Sequence, residues 1–469
     1  MLYNNTLNRK PFSAICYNNY GRDVIYTQQW SIDGSNIVEE LQKALPTHNQ
    51  NRIEIEYLDN YYSGNQPIIY RHKDVRPEVN NKICENLAYM LVEAKTADTV
   101  GEPIMYVLHG TDEEKAEEVS KLNTFMEMLD KQYFDIALER WRHICGLGYR
   151  FVSNSDDEAG FEISTENPAT TFVCYYPDDK PAFSCQIRKN ANNVTTYFVY
   201  SSSEWFVIED NEIIDRGVNG FGIIPVIEYP NNERRLSDIE ITIGITDQIN
   251  KLASDRANGI EQFVASWIKF INCEIDEAEF AKMRKQGALI VQSTNGTDKS
   301  DVEILSNELN QTESQIAASD LYEQMLVIQG LASRQSNASG DTQGAVELRN
   351  GHYDAEKRTQ LGEPIFKKAE RQFLKLILKQ LKIKRDFELV LSDIEIHITR
   401  SKLDNMQVKA QVLKMLLDCG IKYERAIQIV GLFGDPEQVA NESRERMELL
   451  YPDTLEKYRE LNGDSNETV

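Results

Sequence analysis

Ser333-Arg334-Gln335-Ser336-Asn337-Ala338-Ser339-Gly340-Asp341-Thr342-Gln343 is a polar run in which nothing larger than Ala338 is apolar. Such a run cannot bury itself, and its residue types favour turns and loops. Helical patterns flank it tightly, and the whole region 236–384 reads as long rods around it. A polar loop held out on rigid rods reads as a contact device rather than a linker.

Working outward, the first rod opens on a cap signature, Ser237 followed by Glu240. Ile239, Ile243, Ile249, Ala253, Ala257, Ile260, Val264 and Ile271 mark one stripe and predict a helix over 236–272. At 1.5 Å per residue that rod is about 54 Å long. Its stripe is narrow for a core helix, which implies sideways packing on copies of itself. Residues 272–302 read as a small lobe: a helix at 277–286, a strand at 288–291 and a turn at Asn295-Gly296.

A second rod, 303–330, carries Leu305, Leu309, Ile316, Leu321, Met325 and Ile328. Between 301 and 330 stand Asp301, Glu303, Glu308, Glu313, Asp320 and Glu323, with no Lys or Arg. Two readings stand for these acids. One is a solvated helix face. The other is a negative lining that lets a polyanion slide, since duplex DNA carries one charge per ~1.7 Å and would stick to a basic bore. Beyond the polar loop, 344–384 reads as a helix kinked at Gly362-Glu363-Pro364. Its second half is basic, with Lys367, Lys368, Arg371, Lys375, Lys379, Lys382, Lys384 and Arg385.

The rest of the chain is mixed. Residues 1–50 read as an arm with one helix near 34–45; 53–64 reads as a helix ended by Gly64, and 79–100 as an amphipathic helix. A strand is predicted at 104–107, helix over 112–147, and a strand meander over 149–229. A strand at 388–399 and helices over 402–461 complete the pattern, giving a mainly helical α+β chain.

Composition bounds the function. The chain has 469 residues and a net charge of −24, a length that suggests roughly three domains. So acidic a chain is not one that grips phosphates over a broad face, although it can surround DNA without holding it. No run of about 18 apolar residues predicts a membrane helix, and the polar residues 1–22 do not resemble a secretory signal. The cysteines, at 16, 84, 145, 174, 185, 273 and 419, are scattered and read as reduced thiols, although Cys174 and Cys185 fit a facing pair across a hairpin. There is no Gly-x-x-x-x-Gly-Lys-Ser/Thr loop, and the six histidines are isolated from one another. No catalytic residue, metal or cofactor is expected.

Five further stretches carry a resemblance. Tyr61-Tyr62-Ser63-Gly64-Asn65-Gln66-Pro67-Ile68 is similar to a YYxGxQxI signature. Asn80-Asn81-Lys82-Ile83, Lys95-Thr96 and Gly101-Glu102-Pro103-Ile104 follow, and Gly220-Phe221-Gly222-Ile223-Ile224-Pro225-Val226-Ile227-Glu228-Tyr229-Pro230-Asn231-Asn232 leads into the first rod. In this order the parts resemble the tailed-bacteriophage portal proteins of the SPP1 Gp6-like family, over roughly residues 50–450.

The resemblance implies a portal fold in a ring oligomer, a dodecamer at one capsid vertex. Its wing is 1–235, its stem helices 236–272 and 304–332, its clip 273–303, its tunnel loop 333–343. A tunnel and wing segment takes 344–401 and a helical crown 402–469. The crown is short beside the family pattern. The implied role is a conduit for packaging and ejection of double-stranded DNA, without sequence recognition. Implied partners are a terminase ATPase, a head–tail adaptor, and the major capsid and scaffolding proteins, in the virion and in host cytoplasm during assembly. Arg334, Gln335, Ser336, Asn337, Ser339 and Asp341 become the DNA-facing loop, and Glu308, Glu313, Asp320 and Glu323 the acidic lining. The alternative is a structural head–tail adaptor ring without a packaging role; an enzyme is the rival from another class.

Overall fold

The computed structural model describes residues 21–74, 77–110, 112–189, 193–264, 267–271, 301–305, 311–331, 352–385, 387–398 and 406–430, with Val439 and Ser443. The helices are α1 (Ile37–Tyr62), α2 (Leu87–Val100), α3 (Glu113–Met128), α4 (Lys131–Cys145), α5 (Asp238–Val264), α6 (Gln311–Gln329), α7 (His352–Arg385), α8 (Met406–Asp418) and α9 (Tyr423–Val430). The strands are β1 (Ile25–Tyr26), β2 (Met105–Leu108), β3 (Leu147–Asn154), β4 (Phe161–Glu166), β5 (Thr171–Tyr175), β6 (Pro181–Lys189), β7 (Thr195–Ser201), β8 (Glu204–Glu209), β9 (Glu212–Val218), β10 (Val226–Pro230), β11 (Trp267–Ile271), β12 (Asp301–Leu305) and β13 (Ile394–His397). They divide into two units, where length suggests about three.

The larger unit takes Tyr20–Glu56, Leu91–Asp238 and Lys357–Val469. Alternating apolar and polar residues make its strands, as the sequence predicts. β5 to β9 run as an antiparallel meander, and β1 joins β5 in parallel. A second sheet has the order β10-β3-β4, and β13 pairs with β2. Gly146 ends α4 at φ 89°, and a side chain there would meet the Arg235 carbonyl at 2.0 Å. Only glycine allows the immediate turn from α4 into β3. Cys174 and Cys185 are both buried and free; in the β5–β6 register they face Phe183 and Phe172 rather than each other.

α1 is one helix, not the two short ones the sequence suggests. It runs through the exposed Pro46, which costs a helix interior about 3 kcal/mol. Burial of Ile37, Leu41, Ala44, His48, Ile55 and Leu58 along one face holds it together. Part of that face packs on Phe172, Phe183, Cys185 and Val199.

His48 sits in this contact, with Nε2 3.1 Å from the Ala169 carbonyl and its ring 4.6 Å from that of Phe172. Burial pushes its pKa down to about 4, against the hydrogen bond. The folded state therefore holds His48 neutral. Its contribution is complete above the unfolded value near 6.5 and is lost as pH falls towards 4, about 3 kcal/mol in all. Urea unfolding of wild type and His48→Gln from pH 7 to 4 tests this. The difference between the two profiles should fall across that window; a flat difference would refute it. The comparison is needed because Asp247, raised to about 6 by burial, gains stability as pH falls.

The main core joins α3, α4 and α7 to the three-stranded sheet, with Leu122, Leu138, Val152, Phe161, Phe366, Phe373 and Ile377 inside. Within it lies a buried group of four opposed charges. The Glu370 carboxylate accepts from the Tyr106 hydroxyl at 2.5 Å and the Tyr229 hydroxyl at 2.6 Å. Lys131 Nζ lies 2.9 Å away and Arg150 3.6 Å away, and both cations also pair with Asp135. The Arg150 guanidinium stacks 4.8 Å from the Phe373 ring.

α7 is continuous through Gly362 and Pro364, where the sequence suggests a kink. The predicted strand over 388–399 is shorter, a 3-10 turn at Leu391–Asp393 followed by β13.

Candidate functional site

The smaller unit includes Tyr57–Met90 and Ile239–Glu356, and so most of both predicted rods. The rods end earlier than their periodicity implies. α5 stops at Val264, and Trp267–Ile271 is a strand paired antiparallel with Asp301–Leu305, Trp267 facing Leu305 and Ile271 facing Asp301. The first residues of the second rod, up to Leu305, are strand, and its described helix is Gln311–Gln329. Both pieces are rich in β-branched and aromatic residues, and pairing with a partner strand outweighs a helical spacing of a few residues.

An extended segment lies along α5. Gln66 is fully buried; its amide donates to the Tyr61 carbonyl at 3.1 Å and Asn86 Oδ1 at 3.0 Å, and its oxygen accepts from Asn250 at 2.5 Å. The backbone N–H groups of Asn81, Ile83 and Glu85 then donate to Asn258, Ser254 and Asn250, at 2.7, 2.9 and 2.9 Å. The match is geometric. Alternate residues of an extended chain are about 6.8 Å apart, and side chains four apart on a helix about 6 Å. Helix positions 250, 254 and 258 therefore meet chain positions 85, 83 and 81 in order.

This capture explains why 79–86 is not helical where apolar spacing predicts helix. Arg71 pairs with Asp255 at 2.6 Å, and Tyr61 donates to Asp247 at 2.8 Å. Many residues carrying the family resemblance, Tyr61, Gln66, Asn81 and Ile83 among them, therefore hold this segment to α5. The sequence reading missed Asn250, Ser254 and Asn258; the signal was a polar row at i, i+4 and i+8 beside the apolar stripe.

α6 packs on the same helix. Met325 and Leu326 join Ile249 and Leu87 in a core, and Gln329 donates to Thr242 at 3.0 Å. The opposite face is open. Glu313 and Asp320 are exposed and Glu323 is half-buried. Their spacing puts the three carboxylates within about 80° of one another around the helix. On the same arc Ile316 is 55% exposed and Val327 63%. Acids and large aliphatics thus share one exposed face.

Of the other residues singled out in the sequence, Glu308 and the loop residues Arg334, Gln335, Ser336, Asn337, Ser339 and Asp341 lie outside the described residues. Among the described residues no helix is long and apolar enough to cross a membrane, and no His, Cys, Asp and Glu group is placed to hold a metal ion.

A family model described as phage portal protein, SPP1 Gp6-like, matches residues 41–448. Among solved structures, the chain is similar to "Neck of empty GTA particle computed with C6 symmetry", at 9% identity and a TM-score of 0.47, covering 81% of this chain and 94% of that one. It is also similar to "Neck of native GTA particle computed with C12 symmetry", at 10% identity and a TM-score of 0.44, covering 74% and 90%. No curated protein matches the sequence.

Proposed function

This chain belongs to the SPP1 Gp6-like family of phage portal proteins, and from that premise we propose that it forms a ring at one capsid vertex through which double-stranded DNA enters and leaves. The family match over residues 41–448 is the observation that carries this reading. The uncovered arc of α6 supports it in physical terms. Its aliphatics call for a neighbour, a ring of copies supplies one on each side, and the acids keep the passage from adhering to DNA.

In this reading 1–235 is the wing, 236–272 and 304–332 the stem, 273–303 the clip, and 402–469 the crown. The loop 333–343 is the tunnel loop, with Arg334, Gln335, Ser336, Asn337, Ser339 and Asp341 towards the DNA. Glu308, Glu313, Asp320 and Glu323 line the bore. The role is structural; a separate terminase ATPase docks on the ring to drive packaging, and head–tail connector proteins dock after it.

The mass of the purified protein tests the reading. A closed ring of about twelve 53.9 kDa copies should run near 650 kDa and appear as an annulus in electron micrographs. A protein that stays monomeric at every concentration would overturn it.

A further inference from the structure

α7 carries its cations as a ridge. Lys368, Arg371, Lys375, Lys379 and Lys382 recur every three or four residues, so they fall within about 80° of one helix face. All five are exposed, and among the described residues none has an ion-pair or hydrogen-bond partner. Some other described cations of the chain are paired. Lys367 pairs with Glu363, Lys121 with Glu117 and Lys43 with Glu39 and Glu40, while Lys384 donates to the Ser155 and Gly160 carbonyls.

The chain has 75 acidic residues against 51 basic ones. Unpaired cations here do not reflect a shortage of acids. Glu370, the one acid from 367 to 385, points inward to the buried charge group. The ridge is also rigid, because the other side of the helix buries Phe366, Phe373, Leu374, Ile377 and Leu381.

Two kinds of macromolecule could meet such a ridge. Protein interfaces are depleted in lysine and enriched in aromatics; four of these five residues are lysine, and none is aromatic. The exposed aliphatics Leu361 and Ile383 border the ridge without interrupting it. Clustered Lys and Arg with no acid among them is what a phosphate backbone requires. The ridge is about 21 Å long, one cation per ~5 Å of helix, against 3.4 Å per phosphate along one DNA strand.

We propose that the α7 ridge is a sequence-independent binding site for the phosphate backbone of duplex DNA. The proposal rests on the portal reading for why DNA comes within reach, and on the ridge alone for its chemistry. Five cations on an otherwise acidic chain give contact that salt readily weakens. Such contact restrains DNA without fixing it in one register.

The test is the anisotropy of a labelled 30-base-pair duplex titrated with the full-length protein between 50 and 200 mM KCl. With five phosphates engaged, the slope of log affinity against log salt should be near −4.5, a loss of roughly 500-fold across that range. Changing the ridge to glutamine (K368Q, R371Q, K375Q, K379Q and K382Q together) should make the slope shallower by at least three. The same charge change at the exposed cations Lys121, Lys180, Lys189, Arg216 and Lys251 should leave it unaltered.

The proposal is overturned if the wild type does not bind the duplex at 50 mM, or if the ridge variant keeps the wild-type slope. It is overturned equally if the ridge variant keeps that slope but loses self-association, which would make the ridge a subunit contact. Rings from wild type and variant alike, with no change in slope, would sink the ridge and leave the portal reading standing. A monomeric wild type with a ridge-dependent slope would do the reverse.

Discussion

Replacing Glu370 with alanine should destabilise the larger unit by about 5 kcal/mol, the largest effect expected of any single substitution in the chain. Breaking a buried ion pair from one side costs about 3–5 kcal/mol, because the partner charge stays behind uncompensated. Here two cations, Lys131 and Arg150, would be left with Asp135 alone. The Tyr106 and Tyr229 hydroxyls would lose their acceptor as well, each at roughly 1 kcal/mol or more. Domains are stable by about 5–15 kcal/mol in total, so the variant should be close to unfolding at 37 °C.

Glu370→Gln separates charge from hydrogen bonding. It keeps an acceptor for the tyrosines but removes the charge opposite the cations, and should fall between wild type and alanine. Burial alone would push the Glu370 carboxyl up; Lys131, Arg150 and the two hydroxyls outweigh it and hold the group well below the usual carboxylate range. A carboxyl depressed in the folded state stabilises above its unfolded value near 4.5 and loses that contribution as pH falls below it. The acid limb of the urea-unfolding profile should therefore flatten in Glu370→Gln. A cost for the alanine variant under about 1 kcal/mol would show that the cluster does not hold this core together.

Glu370 also marks where sequence alone stops being legible. It stands in a run otherwise full of Lys and Arg and was not among the residues singled out in the sequence. Yet it falls at the spacing of Phe366, Phe373, Leu374 and Ile377, the inward stripe of α7, and an acid in that stripe was the available signal. The strand meander, α2 from Leu87 onward and the cores of α5 and α6 were legible because local periodicity decides them. β11 and β12 were not, since Trp267–Ile271 and Asp301–Leu305 are strands only by virtue of each other. The non-helical run 79–86 was lost for the same reason: its backbone partners, Asn250, Ser254 and Asn258, stand far along the chain. Of the acidic row, the carboxylates of α6 could be counted from the sequence. That Ile316 and Val327 lie uncovered beside them needed the structure.

Reversing Glu308, Glu313, Asp320 and Glu323 to lysine should leave rings intact and cut the yield of DNA-filled heads at least tenfold. The change adds roughly eight charge units per subunit, and about a hundred around a ring of twelve copies. On the portal reading those charges face a passing duplex with one phosphate charge per ~1.7 Å. Even about 1 kcal/mol of attraction per contact in high dielectric, repeated around the bore, converts a sliding path into a binding site. Packaging should then stall while assembly proceeds. Ring formation by the variant, seen in electron micrographs, is the control on folding. Asp320→Lys alone, at an exposed position, is the milder form and should show a smaller loss. The ratio of filled to empty particles decides between the readings. An adaptor ring with no packaging role predicts an unchanged ratio, and so does a row of acids that merely faces solvent. Normal filling by the reversed ring would remove the lining role of these four residues, whatever the ridge on α7 does.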